Sequence, residues 1–188
     1  MARIDIPNGE ELERIRLWKM TSGLSEAIDS FRIASHEKSL LTRRVREVAR
    51  MRIAVINQCP IWLDTRSASG TDKKLSESEY CEIINGKKPN TLDQQELLAL
   101  NFAEHFCQDP NSLTDAFFSK LRSEFSDAEI VDLAGYVAFC LGIGRVYKVL
   151  DIANECPIIH KLNYYQINQN QLWVFVWVFS LLELSEVP

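Results

Sequence analysis

The sequence has few of the residues that break helices. Seven glycines and six prolines in 188 residues are too sparse for the many tight turns of a β sandwich, and they favour long helices. It also lacks a basic excess. The net charge is −5 and there is no run of lysine or arginine of the kind that tracks a phosphate backbone, so nucleic acid is excluded as the expected partner. Cysteine pairs at metal-ligand spacing are missing. The five cysteines, Cys59, Cys81, Cys107, Cys140 and Cys156, are odd in number and widely spread, which excludes a zinc knuckle or ribbon. There are only three histidines, and none stands at metal-ligand spacing from another. No flavin, haem, nucleotide or metal motif is visible, so no cofactor is expected. The first ten residues are polar and carry no apolar signal-peptide core. Free thiols in a reducing cytoplasm are the expectation.

What remains is an ordinary soluble composition, 46% hydrophobic and 25% charged, on a chain long enough to bury a core. Helical spacing recurs from residue 24 to 35, after Ser22-Gly23. A second helix is expected from a Thr42 N-cap to about Asn57, and Pro60 suits the first turn of a third, fraying by Ser67 to Gly70. Ser76 to Glu79, Thr91 to Gln94 and Ser126 to Glu129 read as capping boxes, in which two side chains satisfy each other's free backbone donors. They open helices to Asn85-Gly86, to just before Asp109-Pro110, and over about 127 to 153. A further helix is expected over 114 to 124. The long last helix is apolar on most sides, which suits the centre of a bundle or an interface. The charged stretch Arg43, Arg44, Arg46, Glu47, Arg50, Arg52 reads as a solvated face, except for Glu47.

The expected architecture is all-α. One helical domain spans 1 to 155, and an extension spans 156 to 188. In that extension Leu172 to Leu184 is nearly continuous in apolar residues. Thirteen residues are too few to span a bilayer, which takes about 20. A buried helix, a strand or an arm on a neighbouring subunit all remain open, with helix preferred because no sheet is available to join.

The segment from Arg46 to Arg66 resembles the signature of the carboxymuconolactone decarboxylase / alkylhydroperoxidase D-like (AhpD-like) superfamily. Typical members read Arg-Glu, then Arg-Val-Ala, then Asn-x-Cys-x-x-Cys-x-x-x-His. Glu47, Arg52, Ala54, Asn57 and Cys59 fall in register. So do Leu92 to Leu100, the Asp-x-Glu-Ile-Val-Asp-Leu opening of the last helix, and Gly142-Ile143-Gly144-Arg145-Val146. Two positions depart. Trp62 stands where the second cysteine belongs, and Arg66 where the histidine belongs.

The resemblance implies a compact helical fold, assembly into homo-oligomers with the site near a subunit interface, and thiol chemistry on a small hydroperoxide. A thiolate attacks the peroxide and the sulfenic acid is resolved by a second thiol. Here the nucleophile would be Cys59, with Glu47 as its proton-handling partner and an external thiol as reductant, in a peroxiredoxin-type antioxidant oxidoreductase. A helix start at Pro60 would favour a thiolate there. Arg66, expected two turns further on, and Trp62, expected to fill the lost cysteine's volume, complete the candidate site, and a Glu47–Arg66 ion pair is expected in place of the Glu–His couple.

A buried, inert Cys59 is the competing expectation. The protein would then be a degenerate scaffold that binds a small organic ligand or a protein partner in the old site. A lactone enzyme of the decarboxylase branch is a third possibility. Cys81, Cys107 and Cys140 are expected in the core. Cys156-Pro157 repeats the Cys59-Pro60 dipeptide, and so offers a resolving cysteine. His36 and His105 are expected at core edges or in water, and His160 in a loop.

Overall fold

The computed structural model describes residues 2–66 and 74–152. The expectations for Cys156, His160 and the apolar tail lie outside those residues. Among the described residues there are eight α-helices and no strand, as the scarcity of glycine and proline predicts.

α1 (Glu13–Lys19) was not expected from the polar N-terminus. α2 (Ser22–Arg32) runs through Ser22-Gly23 rather than starting after it. It continues into a π-helical turn, Ile33–Glu37. α3 (Arg43–Asn57) starts on Thr42, whose hydroxyl accepts from the Val45 amide. It ends where Gln58 turns left-handed, at φ 51° and ψ 39°, a conformation that closes helices by redirecting the chain. α4 (Pro60–Asp64) follows at once, with Pro60 at its first position.

α5 (Glu77–Ile84) and α8 (Asp127–Leu150) carry the capping boxes read at Ser76/Glu79 and Ser126/Glu129. The middle box is shifted. Asp93 rather than Thr91 caps α6 (Gln94–Gln108), and Glu96 answers it. Thr91 instead donates its hydroxyl to Glu79. α7 (Asp115–Arg122), capped by Thr114, lies within the expected 114 to 124.

α3 is the axis of the fold. It packs against α6 and α8, with α5 and α4 beside it. One of its faces (Val45, Ala49, Ile53) meets Leu98, Ala99, Phe102 and Ala103 of α6 and Leu133, Val137 and Cys140 of α8. The other (Val48, Met51) meets Tyr80, Ile83, Leu75 and Leu100. Each fully buried side chain of this kind contributes about 1.5–3 kcal/mol.

The expectation of a solvated charged face on α3 is therefore corrected. Arg50 is 2% exposed, Glu47 7% and Arg52 8%. The physical reason is partner supply. Arg50 binds Glu47, Arg52 binds Glu104, and Arg44 binds both Glu79 and Glu96, and a paired charge can be buried where a lone one cannot. α8 packs against α3, and it is long and apolar enough to cross a membrane by length and composition. Its buried residues face the core, while Val131 and Val149 face outward.

Candidate functional site

Glu47 and Arg50 stand one turn apart on α3, so a carboxylate and a guanidinium meet on one face. Arg50 donates from Nε and Nη2 to the two carboxylate oxygens of Glu47 at 2.9 and 2.7 Å. Its remaining donors reach across to α4. Nη1 binds the Trp62 carbonyl at 2.6 Å and Nη2 the Thr65 carbonyl at 3.0 Å. These are carbonyls of the last turn of α4, which a short helix leaves unsatisfied. Arg50 thus clamps the helix carrying the motif residues. Its guanidinium also lies 5.7 Å from the Trp62 ring centroid, a cation–π contact. Burial alone would lower its pKa, but the Glu47 charge and hydrogen bonds raise it instead. Tyr80 of α5 completes the group and donates its hydroxyl to Glu47 at 2.6 Å.

The expected Glu47–Arg66 ion pair is not how these groups are arranged. α4 ends at Asp64 and Thr65 is extended, so Arg66 is not two turns along a continuous helix. It pairs with Glu77 at 3.3 Å and places its guanidinium 4.3 Å over the Tyr80 ring. Glu47 and Arg66 thus address the same tyrosine, one at its hydroxyl and one at its ring face. Arg50 takes the place expected for Arg66 because it is already one turn from Glu47.

Cys59 sits at the N-cap of α4, as Pro60 in the first turn predicts. The amides of Ile61 and Trp62 are directed at its sulfur and favour ionisation, yet burial dominates and pushes the thiol pKa up. The residue has no solvent exposure. Leu17, Ile61, Tyr147 and Ile152 surround it, with Ala2 and Ile6 of the N-terminal segment packed against them. That segment is fastened by the Arg3 amide, which donates to the Leu150 carbonyl at 2.9 Å.

The other thiols divide. Cys140 is buried and its pKa is raised by burial. Cys107 is half-buried and pushed up to about 11. Cys81 is exposed rather than in the core, because the buried face of α5 is the one carrying Glu79, Tyr80 and Ile83.

Beside Cys59, a cavity of about 480 Å³ opens between α1, α2, α4 and α8. That volume suits a small organic ligand. Trp18, Ile28, Ile61, Trp62, Phe139 and Ile143 supply apolar wall, and Arg14, Arg32, His36, Arg50 and Thr65 supply polar atoms. Cys59 is not part of this wall. Ile61 and Trp62, which are, follow it directly in the chain, and both belong to the hydrophobic cluster that encloses it.

Trp62 therefore does more than fill space. It is partly buried, faces the cavity, and packs 6.4 Å from Phe139. His36 was missed as a site residue. It comes from the π-helical turn after α2, and nothing in its sequence neighbours signals that turn. His105 is a core-edge residue, bonded to Ser112 Oγ through Nδ1 at 2.6 Å and packed on Phe117. No group of three or more metal-ligating side chains occurs among the described residues.

No protein-family model matches the chain, and no curated protein matches it either. Solved structures do. A peroxidase-related protein from Silicibacter sp., itself uncharacterised, superposes with a TM-score of 0.65 at 17% identity, over 81% of this chain and 91% of that one. A protein of unknown function from Agrobacterium tumefaciens, described as a candidate antioxidant defence protein AhpD, superposes with a TM-score of 0.66 at 19% identity, over 76% and 98%. At such identities the likeness is one of backbone. All-helical among its described residues and superposing on these structures over most of its length, the chain has the AhpD-like fold.

Proposed function

We propose that this protein binds a small, largely apolar molecule in the cavity between α1, α2, α4 and α8, on a scaffold whose ancestral thiol pair is gone. The observation that carries the reading is the division of the site. The cavity is open and aromatic-walled, whereas the one motif cysteine is sealed behind that wall with a raised pKa. A thiol acts as a nucleophile through its thiolate, and burial in apolar surroundings withholds that form.

A second reading has its own support. The amides of Ile61 and Trp62 aimed at the Cys59 sulfur, and the peroxidase and antioxidant descriptions of the two fold relatives, favour a one-cysteine thiol antioxidant. In that reaction the Cys59 thiolate would attack a hydroperoxide oxygen. The O–O bond breaks, an alcohol leaves once protonated, and two equivalents of an external thiol return the sulfenic acid to the thiol. Glu47 is not poised to move the proton directly, since Arg50 and Tyr80 hold its oxygens.

Site-resolved alkylation separates the two. Iodoacetamide is applied at neutral pH to the wild type and to Cys59→Ser, with modified positions read by mass spectrometry because Cys81 is exposed. Slow labelling at Cys59 alongside ready labelling at Cys81 is the expected result. Fast labelling at Cys59, together with hydroperoxide consumption that the serine variant loses, would establish the antioxidant reading instead. Naphthalene binding in equilibrium dialysis, weakened by a cavity-filling Ile143→Trp, is the matching positive expectation for the ligand site.

A further inference from the structure

The cavity contains a histidine that the motif does not account for. The π-helical turn Ile33–Glu37 brings His36 into the wall, and a turn of this kind is uncommon and recurs at functional positions. The ring is fixed from several sides. Phe139 meets it edge-on at 5.3 Å and Tyr136 lies 5.0 Å away. Arg46 donates to its backbone carbonyl. Its Nδ1 is 3.1 Å from Ser35 Oγ. The Ser35 hydroxyl donates its own proton to the Arg32 carbonyl at 3.3 Å, so its oxygen is left to accept from Nδ1–H. In that arrangement Nδ1 carries the proton and Nε2 keeps its lone pair.

Three of the four lysine and arginine side chains that line the cavity are bridged to carboxylates, Arg14 being the fourth. Arg32 is bridged to Asp29 and Glu37, each at 2.9 Å, Lys19 to Glu11 at 2.6 Å, and Arg50 to Glu47. An anionic ligand would gain little from cations so engaged, whereas a neutral hydroxyl meets an imidazole ready to accept.

We infer that His36 is the specificity-determining residue of the cavity, its Nε2 accepting a hydrogen bond from the hydroxyl of a flat, neutral, apolar molecule of the phenol or naphthol class. Trp18, Trp62 and Phe139 would hold the ring system, aromatic faces being well suited to it. Burial and the nearby Arg46 hold the His36 pKa down to about 4, so the ring is neutral at physiological pH and can accept. The inference rests on the cavity reading and adds to it the identity of the polar contact.

The test compares 1-naphthol with naphthalene on the full chain by equilibrium dialysis, in the wild type and in His36→Phe and His36→Gln. One well-placed hydrogen bond in an apolar site corresponds to roughly five- to tenfold in affinity, so wild-type protein is expected to prefer 1-naphthol by about that factor. His36→Phe keeps the ring packing and is expected to bind the two compounds alike while retaining naphthalene. His36→Gln, which still offers an acceptor, is expected to restore part of the preference. Equal binding of the two compounds by the wild type overturns the inference and leaves the cavity reading intact, as does a preference that survives in His36→Phe. Binding of neither compound by the wild type removes the cavity reading, and this one with it.

Discussion

Arg50 shows how much one side chain can organise. It is buried, paired with Glu47 on its own helix, and bonded to two carbonyls of the next. Removing one partner of a buried ion pair leaves the other charge in low dielectric, which costs about 3–5 kcal/mol. Arg50→Ala is therefore expected to lower unfolding free energy by about that amount in urea titration. Arg66, one-third exposed and 3.3 Å from a largely exposed Glu77, belongs to the class of surface pairs worth about 0–1 kcal/mol. Arg66→Ala should cost about 1 kcal/mol or less, even counting its contact with the Tyr80 ring. Equal losses for the two variants would show that the clamp on α4 has been misassigned. The motif register put Glu47, Cys59 and Trp62 forward as one site; Arg50 joins Glu47 to the Trp62 carbonyl, and Cys59 lies in an apolar cluster against which Trp62 packs. The register assigned the charge partner wrongly, because it carries no information on where α4 stops.

At the scale of elements, two glycines on α8 make opposite predictions. A Cβ at Gly144 would lie 2.8 Å from Asn57 Nδ2. That amide cannot swing away cheaply, because it donates to the Leu141 carbonyl at 3.0 Å and accepts from Arg145 Nε at 2.8 Å. Gly144→Ala is expected to destabilise by about 1–3 kcal/mol, the usual range for overpacking. Gly142 is exposed, with nothing within 4 Å of its Cβ position. Gly142→Ala should stabilise by about 0.5–1 kcal/mol, through helix propensity alone. Thermal unfolding of both variants checks the pair, and shifts of the same sign would contradict this placement of α3 against α8. α2 makes a different prediction. None of its residues is buried, and Phe31 on Phe139 at 5.2 Å is one of its few anchors. α3, by contrast, buries ten of fifteen residues. Local opening follows such differences, so amides of α2 are expected to exchange with solvent deuterium well before those of α3, and a bound cavity ligand should slow them. Matching protection in both helices would argue that α2 is covered in solution.

The whole molecule couples stability to pH through two groups that pull the same way. His36 is held neutral inside, its pKa lowered from 6.5 to about 4 by burial and by Arg46. Arg32 and Arg50 also face it and oppose a proton. Between those values the unfolded chain binds the proton and the folded chain does not, so stability falls as pH drops from about 6.5 toward 4. Glu79 acts lower on the scale. Burial opposes its ionisation, but hydrogen bonds from Arg44, Ser76 and Thr91 hold it down to about 2. Its contribution is present above about 4.5 and is lost below it. Urea midpoints are thus expected to decline in two stages on acidification, and His36→Gln should remove the upper one. A wild type whose midpoint is flat between pH 6.5 and 4 would contradict the buried, neutral state of His36.

The sequence by itself determined the all-α class, the capping boxes at Ser76 and Ser126, the break between α3 and α4, and, through Pro60, the helix start at Cys59. These are local properties, set by residues within a turn or two of one another. Only the tertiary structure decided which charges are buried, because Arg50 and Arg52 are tolerated inside, and Arg44 half-buried, through partners or acceptors on other helices. It alone decided that the Cys59 sulfur is sealed while Trp62 faces an open cavity, since that depends on where the N-terminal segment and α8 come to rest. It also decided the place of His36, which reaches the cavity through a π turn that no spacing of apolar residues announces, because a single extra residue in a helical turn changes direction without changing composition.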